Sequence, residues 1–158
     1  MECKLSNDPE TERDIKDILC SAKTIAVVGI SPDEKKDSHR VAKYLMDHGF
    51  EVIAVNPHCD RVLGAKCYPD LKSIPEHVDV VDIFRRTEAI PAIVDEAIEI
   101  GAGAVWMQLG LQCEESAQKA RRAGLKVVMN KCTKIEIERI SGGPKQPLAE
   151  VVEKNRLI

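Results

Sequence analysis

The fold of this chain is decided by residues 24–31, Thr24-Ile25-Ala26-Val27-Val28-Gly29-Ile30-Ser31. The first five residues form a short, nearly continuous apolar run, which is typical of a strand buried on both faces of a parallel sheet. A glycine follows at once, and a polar loop then leads to a segment of helical periodicity that closes at Gly49. This region therefore predicts a strand, a loop and a helix whose N-cap is Ser38.

The same unit recurs along the rest of the chain, and one further helix precedes this stretch. Further strands are predicted at residues 51–55, 78–84, 104–107 and 126–129. Further helices are predicted at residues 8–22, 87–100 and 114–123 and from Lys134 onward, with an irregular segment at 59–70. Alternation of this kind requires right-handed crossovers and a parallel sheet covered by helices. The predicted fold is α/β, a doubly wound, mainly parallel, five-stranded sheet with helices on both faces, which is Rossmann-like.

Length and composition limit what the chain can be. Its 158 residues suit one domain over 1–158, with 44% hydrophobic and 31% charged residues, enough for a packed core. Aromatic residues make up only 3% and the net charge is −3, so binding of nucleic acid is not expected. No apolar run approaches the ~20 residues of a membrane span, so no membrane association is expected either.

Cysteine usage indicates a reducing compartment. The six cysteines are scattered without a C-x-x-C pair, and the four histidines do not show zinc-ligand spacing, so no metal site is predicted. The N-terminus is polar and acidic and does not resemble a signal peptide. A cytoplasmic protein with free thiols is therefore expected.

The predicted strand ends indicate where a ligand would bind. In open α/β sheets, ligands lie beyond the carboxyl ends of the strands at the point where the strand order reverses. Each predicted strand is followed at once by polar residues or glycine. These segments are Gly29-Ile30-Ser31, Asn56-Pro57, Phe84-Arg85-Arg86-Thr87, Gln108-Leu109-Gly110 and Asn130-Lys131-Cys132.

The first loop differs from a dinucleotide fingerprint. It reads Gly-x-Ser rather than G-x-G-x-x-G, and Asn56-Pro57 stands where NAD-binding proteins place an acid for the ribose diol. A nicotinamide cofactor is therefore disfavoured. Arg40 and Arg85 lie at predicted cleft positions and suit a ligand with several phosphates, whereas Lys35 and Lys36 are interpreted as a solvated loop pair.

Four ordered blocks of sequence carry a family resemblance. They are residues 25–31, 52–57, 80–86 and 104–110, and Val127-Val128-Met129 with Cys132 and Glu136 continues the match. Over about residues 21–140 the chain resembles the small stand-alone CoA-binding domain proteins. These are similar to the CoA-binding domain of the succinyl-CoA synthetase α subunit and of NDP-forming acyl-CoA synthetases. The flanking segments are then helical N- and C-terminal extensions.

This resemblance implies that coenzyme A is held across the strand ends. Gly29 and Ser31 would approach the pyrophosphate, and Ser38 and Arg40 would complete the phosphate site. The remaining matched positions would border the adenosine (Asn56 and Pro57), line the next wall (Phe84, Arg85 and Thr87) and follow the pantetheine (Gln108 and Gly110).

Binding without catalysis is the favoured interpretation. The phosphoryl-carrying second domain of the synthetases has no counterpart here, no nucleophile–base pair is evident, and the four histidines are assigned surface or ligand-edge positions. The alternatives are an enzyme or enzyme subunit that borrows catalytic groups, and a degenerate pocket that acts through interactions. A homo-oligomer, a protein partner and the choice between CoA and acyl-CoA stay open.

Cys132 is the one residue with predicted chemistry of its own. It precedes the last predicted helix, where a helix N-terminus would stabilise a thiolate, so one alternative is a thiol-redox sensor that forms a mixed disulfide with CoA. The competing interpretation is a buried, inert cysteine.

Overall fold

The computed structural model describes residues 9–141. The strands are β1 (Thr24–Val28), β2 (Glu51–Val55), β3 (Arg61–Val62), β4 (Ala65–Tyr68), β5 (Val80–Ile83), β6 (Ala104–Met107) and β7 (Lys126–Val128). The helices are α1 (Pro9–Ser21), α2 (Asp37–Asp47), α3 (Ile90–Glu99), α4 (Glu114–Arg122) and α5 (Thr133–Ser141), with a 3₁₀ turn at Thr87–Ala89. The C-terminal extension beyond Ser141 lies outside the described residues.

All the described strands belong to one sheet in the order β3-β4-β2-β1-β5-β6-β7. Every neighbouring pair is parallel except β3 with β4. The doubly wound α/β fold and the five predicted strands are confirmed, and β4 adds a sixth strand to the parallel part of the sheet.

The strand count needs one correction, because residues 59–70 are not irregular. They hold the hairpin β3–β4, whose second strand pairs with the end of β2. Its two-residue turn is formed by Leu63 and Gly64, both with positive φ (52° and 78°), as a type I′ turn requires. Strands of two and four residues are too short to show a period in the sequence.

The helices form two layers. Helices α1, α2 and α5 cover one face, where Ile15, Leu45 and Ile137 are buried in one core cluster. Helices α3 and α4 cover the other, where Val94 and Ala117 are buried in the second cluster. The side chains of β1 alternate between the two layers, as the strand pleat dictates.

Two helix starts differ from the sequence prediction. The N-cap of α2 is Lys36, so Ser38 lies inside the first turn and is not the cap. The predicted helix over 87–100 divides into the 3₁₀ turn and α3, which has proline in its first turn. Proline lacks the N–H that an earlier helical start would need, so it fixes where α3 begins. Within residues 9–141, none of the helices is both long enough and apolar enough to cross a membrane.

Candidate functional site

The strand order reverses between β1 and β5, and the candidate site lies there. From β1 the chain passes through α2 to β2 on one side, whereas from β5 it passes through α3 to β6 on the other. Because the two helices lie on opposite faces, the loops after β1 and β5 diverge and leave a crevice at the carboxyl edge.

Gly29 allows the two backbone segments to meet at this crevice. Its φ is +91° and its N–H donates to the Val55 carbonyl (N···O 2.9 Å). A Cβ added here would lie 2.4 Å from the carbonyl oxygen of Phe84. Only glycine fits both this conformation and this contact.

An open cleft of about 840 Å³ extends from this point. Its walls are the loops after β1, β5 and β6 together with the first turns of α2 and α5. Seven predicted site residues line it: Gly29, Ser31, Ser38, Arg40, Phe84, Gln108 and Cys132. The volume is in the range of small-molecule sites, near its upper end.

Five predicted residues, Asn56, Pro57, Arg85, Thr87 and Gly110, do not line this cleft. The Asn56 Nδ2 donates to the Ile30 carbonyl (2.8 Å), so Asn56 supports the first loop from behind. The Arg85 Cδ lies 3.3 Å from the Cβ position at Gly29. Gly110 donates its N–H to Asn130 Oδ1 (2.7 Å). Contact with a ligand stays a prediction for all twelve residues.

The first loop is held by two residues of α2. Ser38 Oγ accepts the N–H of Ser31 (3.0 Å), and the Nδ1 of His39 lies 2.9 Å from the Ser31 carbonyl oxygen. Since a carbonyl only accepts, Nδ1 carries the proton. His39 is buried, which corrects its predicted surface or ligand-edge position. Ser38 therefore serves the loop instead of capping the helix.

A buried polar cluster lies behind Gln108. The Gln108 Nε2 donates to Asp82 Oδ1 and to Thr133 Oγ1 (3.0 Å), and Thr133 Oγ1 donates to Asp82 Oδ2 (3.2 Å). Burial raises the pKa of Asp82 to about 7, although both hydrogen bonds oppose the rise. Both hydrogens of the Gln108 amide are used in the cluster, which leaves its Oε1 as the acceptor for the cleft.

Cys132 is less ionised than its position suggested. Burial raises the pKa of its thiol, and this outweighs the backbone N–H groups of Ile135 and Lys134, which favour the thiolate. This direction favours the interpretation of Cys132 as an inert cysteine over that of a reactive thiolate, and the reactivity of Cys132 stays a prediction. Helix position alone did not reveal that the Cys132 side chain is partly buried.

The cleft carries positive charge along one wall. Lys36 and Arg40 belong to the start of α2, and Lys134 belongs to the start of α5. Arg40 Nη2 pairs with Asp37 Oδ1, and Lys134 Nζ lies 5.5 Å from the centroid of the Tyr44 ring. Two helix N-termini face the same space, which adds partial positive charge to these cations.

Sequence reasoning missed the contribution of α5. Lys134, Ile135 and Glu138 line the cleft, as do Leu109 and Leu111 after β6. Leu109 lies in a strand-end segment that was singled out, but nothing in the α5 sequence signals its return to the cleft. Among residues 9–141, no group of three or more His, Cys, Asp or Glu side chains is arranged to hold a metal ion.

The chain is similar to proteins of one family. The sequence pattern of a family described as the CoA binding domain matches residues 23–138. An uncharacterized protein of Bacillus subtilis, YneT, is 41% identical over 125 residues, which cover 79% of this chain and 93% of YneT.

Longer enzymes contain a similar region. An ADP-forming acetate–CoA ligase I of Archaeoglobus fulgidus is 34% identical over 122 residues, which are 70% of this chain but only 18% of the ligase. Among solved structures, a hypothetical protein from Pyrococcus horikoshii matches with a TM-score of 0.80 and 41% identity. The match covers 88% of this chain and 98% of that one.

Proposed function

The chain belongs to the CoA-binding domain family, and from this premise we propose that it binds coenzyme A or an acyl-CoA in the cleft at the β1–β5 crossover. The role is that of a binding, carrier or regulatory module without catalytic machinery of its own. The same proposal places the protein in the cytoplasm. Its ligand is a small molecule, and its partners include neither nucleic acid nor a membrane.

The observation that carries the proposal is the backbone approach at Gly29. A side chain here would collide with the Phe84 carbonyl, at the point where the crevice between the loops after β1 and β5 opens. The neighbouring Ser31 is fixed through its N–H and its carbonyl by Ser38 and His39. The loop is therefore preorganised, which lowers the entropic cost of binding.

The charges of the cleft suit the nucleotide half of coenzyme A. Its pyrophosphate and 3′-phosphate carry several negative charges, and Lys36 and Arg40 contribute cations beside the N-terminus of α2. In the same proposal, Asn56 and Pro57 border the adenosine. Phe84, Arg85 and Thr87 form the next wall, and Gln108 and Gly110 follow the pantetheine arm.

A catalytic role has less support within the described residues. His39 is committed to Ser31, Asp82 to Gln108 and Thr133, and the Cys132 thiol has a raised pKa. The mixed disulfide with CoA is therefore not favoured. The ligase similarity supports a second candidate, a subunit that supplies the CoA site to a partner with the catalytic groups.

Thermal shift with CoA, acetyl-CoA, ADP, ATP and NAD, measured side by side, tests the proposal. At a hundredfold excess over Kd, a ligand stabilises by ~2.7 kcal/mol, which corresponds to roughly 5–10 °C in a protein of this size. The largest shifts are expected for CoA and acetyl-CoA. A larger shift with NAD than with CoA contradicts the proposal, and a flat response to all five favours a degenerate pocket.

Two matched variants locate the phosphate site. Arg40 and Lys43 are both exposed on α2 and both pair with a nearby aspartate, but only Arg40 lines the cleft. Arg40→Gln is expected to weaken CoA binding about tenfold, the loss of one charge-assisted hydrogen bond to phosphate. Lys43→Gln removes the same charge and should leave CoA affinity unchanged. Equal affinities for the two variants count against the assignment of Arg40.

A further inference from the structure

The cleft has two chemically different ends. At one end, beside β1 and the start of α2, the lining residues include Ser31, Lys36 and Arg40, together with Asp37, which pairs with Arg40. At the other end, beyond Gln108, they include the apolar side chains of Leu109, Leu111 and Ile135, together with the charged Lys134 and Glu138 of α5. A ligand that covers these three apolar side chains must present a hydrocarbon group there.

The apolar end is exposed to an unusual degree. Leu109 is 65% exposed and Ile135 is 51% exposed, and among residues 9–141 these are the large hydrophobic side chains left open to solvent. They belong to different elements, the loop after β6 and the first turn of α5, yet both lie on the rim of one cleft. Apolar side chains that converge on a site are more informative than scattered ones, because covering them gives a favourable free energy.

Free coenzyme A does not supply an apolar end. If its phosphates lie at the basic end and its pantetheine arm passes Gln108, its thiol reaches the rim with no carbon beyond it. A thioester adds an aliphatic chain at this point.

We propose that this rim, defined by Leu109, Leu111 and Ile135, is an acyl subsite, and that the ligand is an aliphatic acyl-CoA rather than free CoA. The inference rests on the proposed function, since it takes the phosphate end of the cleft as the nucleotide site. The chemical class is a straight-chain acyl thioester long enough to cover both exposed side chains.

The chemistry around the rim is compatible with an intact thioester. Attack on a thioester requires a thiolate or another activated nucleophile. Cys132, which also lines the cleft, keeps its proton at neutral pH because burial raises the pKa of its thiol. The site then holds the acyl-CoA without transferring its acyl group.

Calorimetric titration of the whole chain with CoA, acetyl-, butyryl- and hexanoyl-CoA tests this inference. Each added methylene becomes about half buried on an open rim, so affinity should rise about twofold per methylene. From acetyl- to hexanoyl-CoA the expected gain is on the order of tenfold. The readout is the ratio of the hexanoyl-CoA affinity to the CoA affinity.

Variants identify which side chains produce the gain. Leu109→Ser and Ile135→Ser should each reduce the hexanoyl-to-CoA ratio severalfold, and the double variant should bring it close to one. Ile93→Ser is the control, because Ile93 is a partly buried apolar residue of α3 on the opposite face of the sheet. It should keep the wild-type ratio.

The outcomes separate this inference from the proposed function. If no member of the series binds, the CoA site itself is wrong. If CoA binds and the acyl-CoAs bind equally or more weakly, only the acyl subsite is overturned. A flat series together with a dimer that the double variant dissociates, by light scattering, would assign the rim to a second copy of the chain instead.

Discussion

At Gly29 two loops that leave the sheet in opposite directions come within contact distance. The site depends on this contact, because the crevice opens where the loops after β1 and β5 separate. The backbone at Gly29 is in the left-handed region, and the Phe84 carbonyl occupies the place of a Cβ. The residue is therefore constrained twice, by its own conformation and by its neighbour.

Substitution of Gly29 should lower the free energy of unfolding more than substitution of a glycine whose Cβ position is open. Gly29→Ala is expected to lower the free energy of unfolding by about 3 kcal/mol or more, since about 1 kcal/mol comes from φ and the rest from the collision. Gly124→Ala is the control, because Gly124 has φ +95° and nothing within 4 Å of its Cβ position. Urea unfolding measures both, and equal losses would show that the approach to Phe84 imposes no constraint.

Asp82 makes stability depend on pH. The pKa of this buried carboxyl is about 7 in the folded chain against 3.8 for the free side chain, so the folded state binds the proton more tightly. The contribution of Asp82 to the free energy of unfolding is then fully present below about pH 4, and it is lost as the pH rises through 7. The pKa difference corresponds to roughly 4 kcal/mol.

The Asp82→Asn variant should remove this dependence. Between pH 5 and pH 8, wild type should lose roughly 2–3 kcal/mol relative to the variant in urea unfolding. Asp95→Asn is the control and alters an exposed ion pair with Lys119. The difference in the free energy of unfolding between wild type and Asp95→Asn should change by less than about 0.5 kcal/mol over the same pH range. If the curves of wild type and Asp82→Asn stay parallel, the carboxyl is already ionised at pH 5.

At the scale of elements, α5 is the helix on which the cleft depends most. Its first turn supplies Lys134 and Ile135 to the cleft, and its far end is tied to α1. The Nη2 of Arg139 lies 2.9 Å from Glu136 Oε1 and 2.7 Å from Glu12 Oε1. The Glu136 side chain is only 10% exposed, so it depends on Arg139 for compensation.

Removal of this link should destabilise the packing of α5. Arg139→Met leaves Glu136 nearly buried and unpaired with Arg139, and a loss of about 1–3 kcal/mol is expected in urea unfolding. Lys126→Met removes an exposed pair with Asp17 (Nζ···Oδ2 3.3 Å) and should cost less than about 1 kcal/mol. A loss no larger for Arg139→Met than for Lys126→Met would show that α5 is held by its apolar contacts alone.

The sequence could predict those helices and strands whose pattern lies in neighbouring residues. Each of the five predicted strands is an apolar run ended by glycine or a polar residue, and all five are present within a few residues of the predicted bounds. The hairpin β3–β4 could not be predicted, because two- and four-residue strands show no period. The place of α5 depends on contacts such as Arg139 with Glu12, which are 127 residues apart and leave no local signal.

At the scale of the whole molecule, the parallel sheet determines where the site can be. The carboxyl ends of its parallel strands share one edge, and seven of the predicted site residues line the cleft at this edge. The rule that ligands lie beyond the strand ends could not distinguish residues that line the cleft from those that support it, such as Asn56. That difference depends on side-chain direction, which the strand period does not determine beyond the strand end.

In the proposed function, coenzyme A binds at the carboxyl edge of the sheet, between the starts of α2 and α5. Titration of ¹⁵N-labelled protein with CoA, followed by ¹H–¹⁵N correlation spectra, tests this location directly. If coenzyme A binds there, the largest shift changes occur at the backbone amides of Gly29, Ser31 and Ser38 and in the first turn of α5. Changes confined to the opposite edge, around the small cavity beside Asp79, Gly103 and Lys126, or no changes at millimolar CoA, would contradict it.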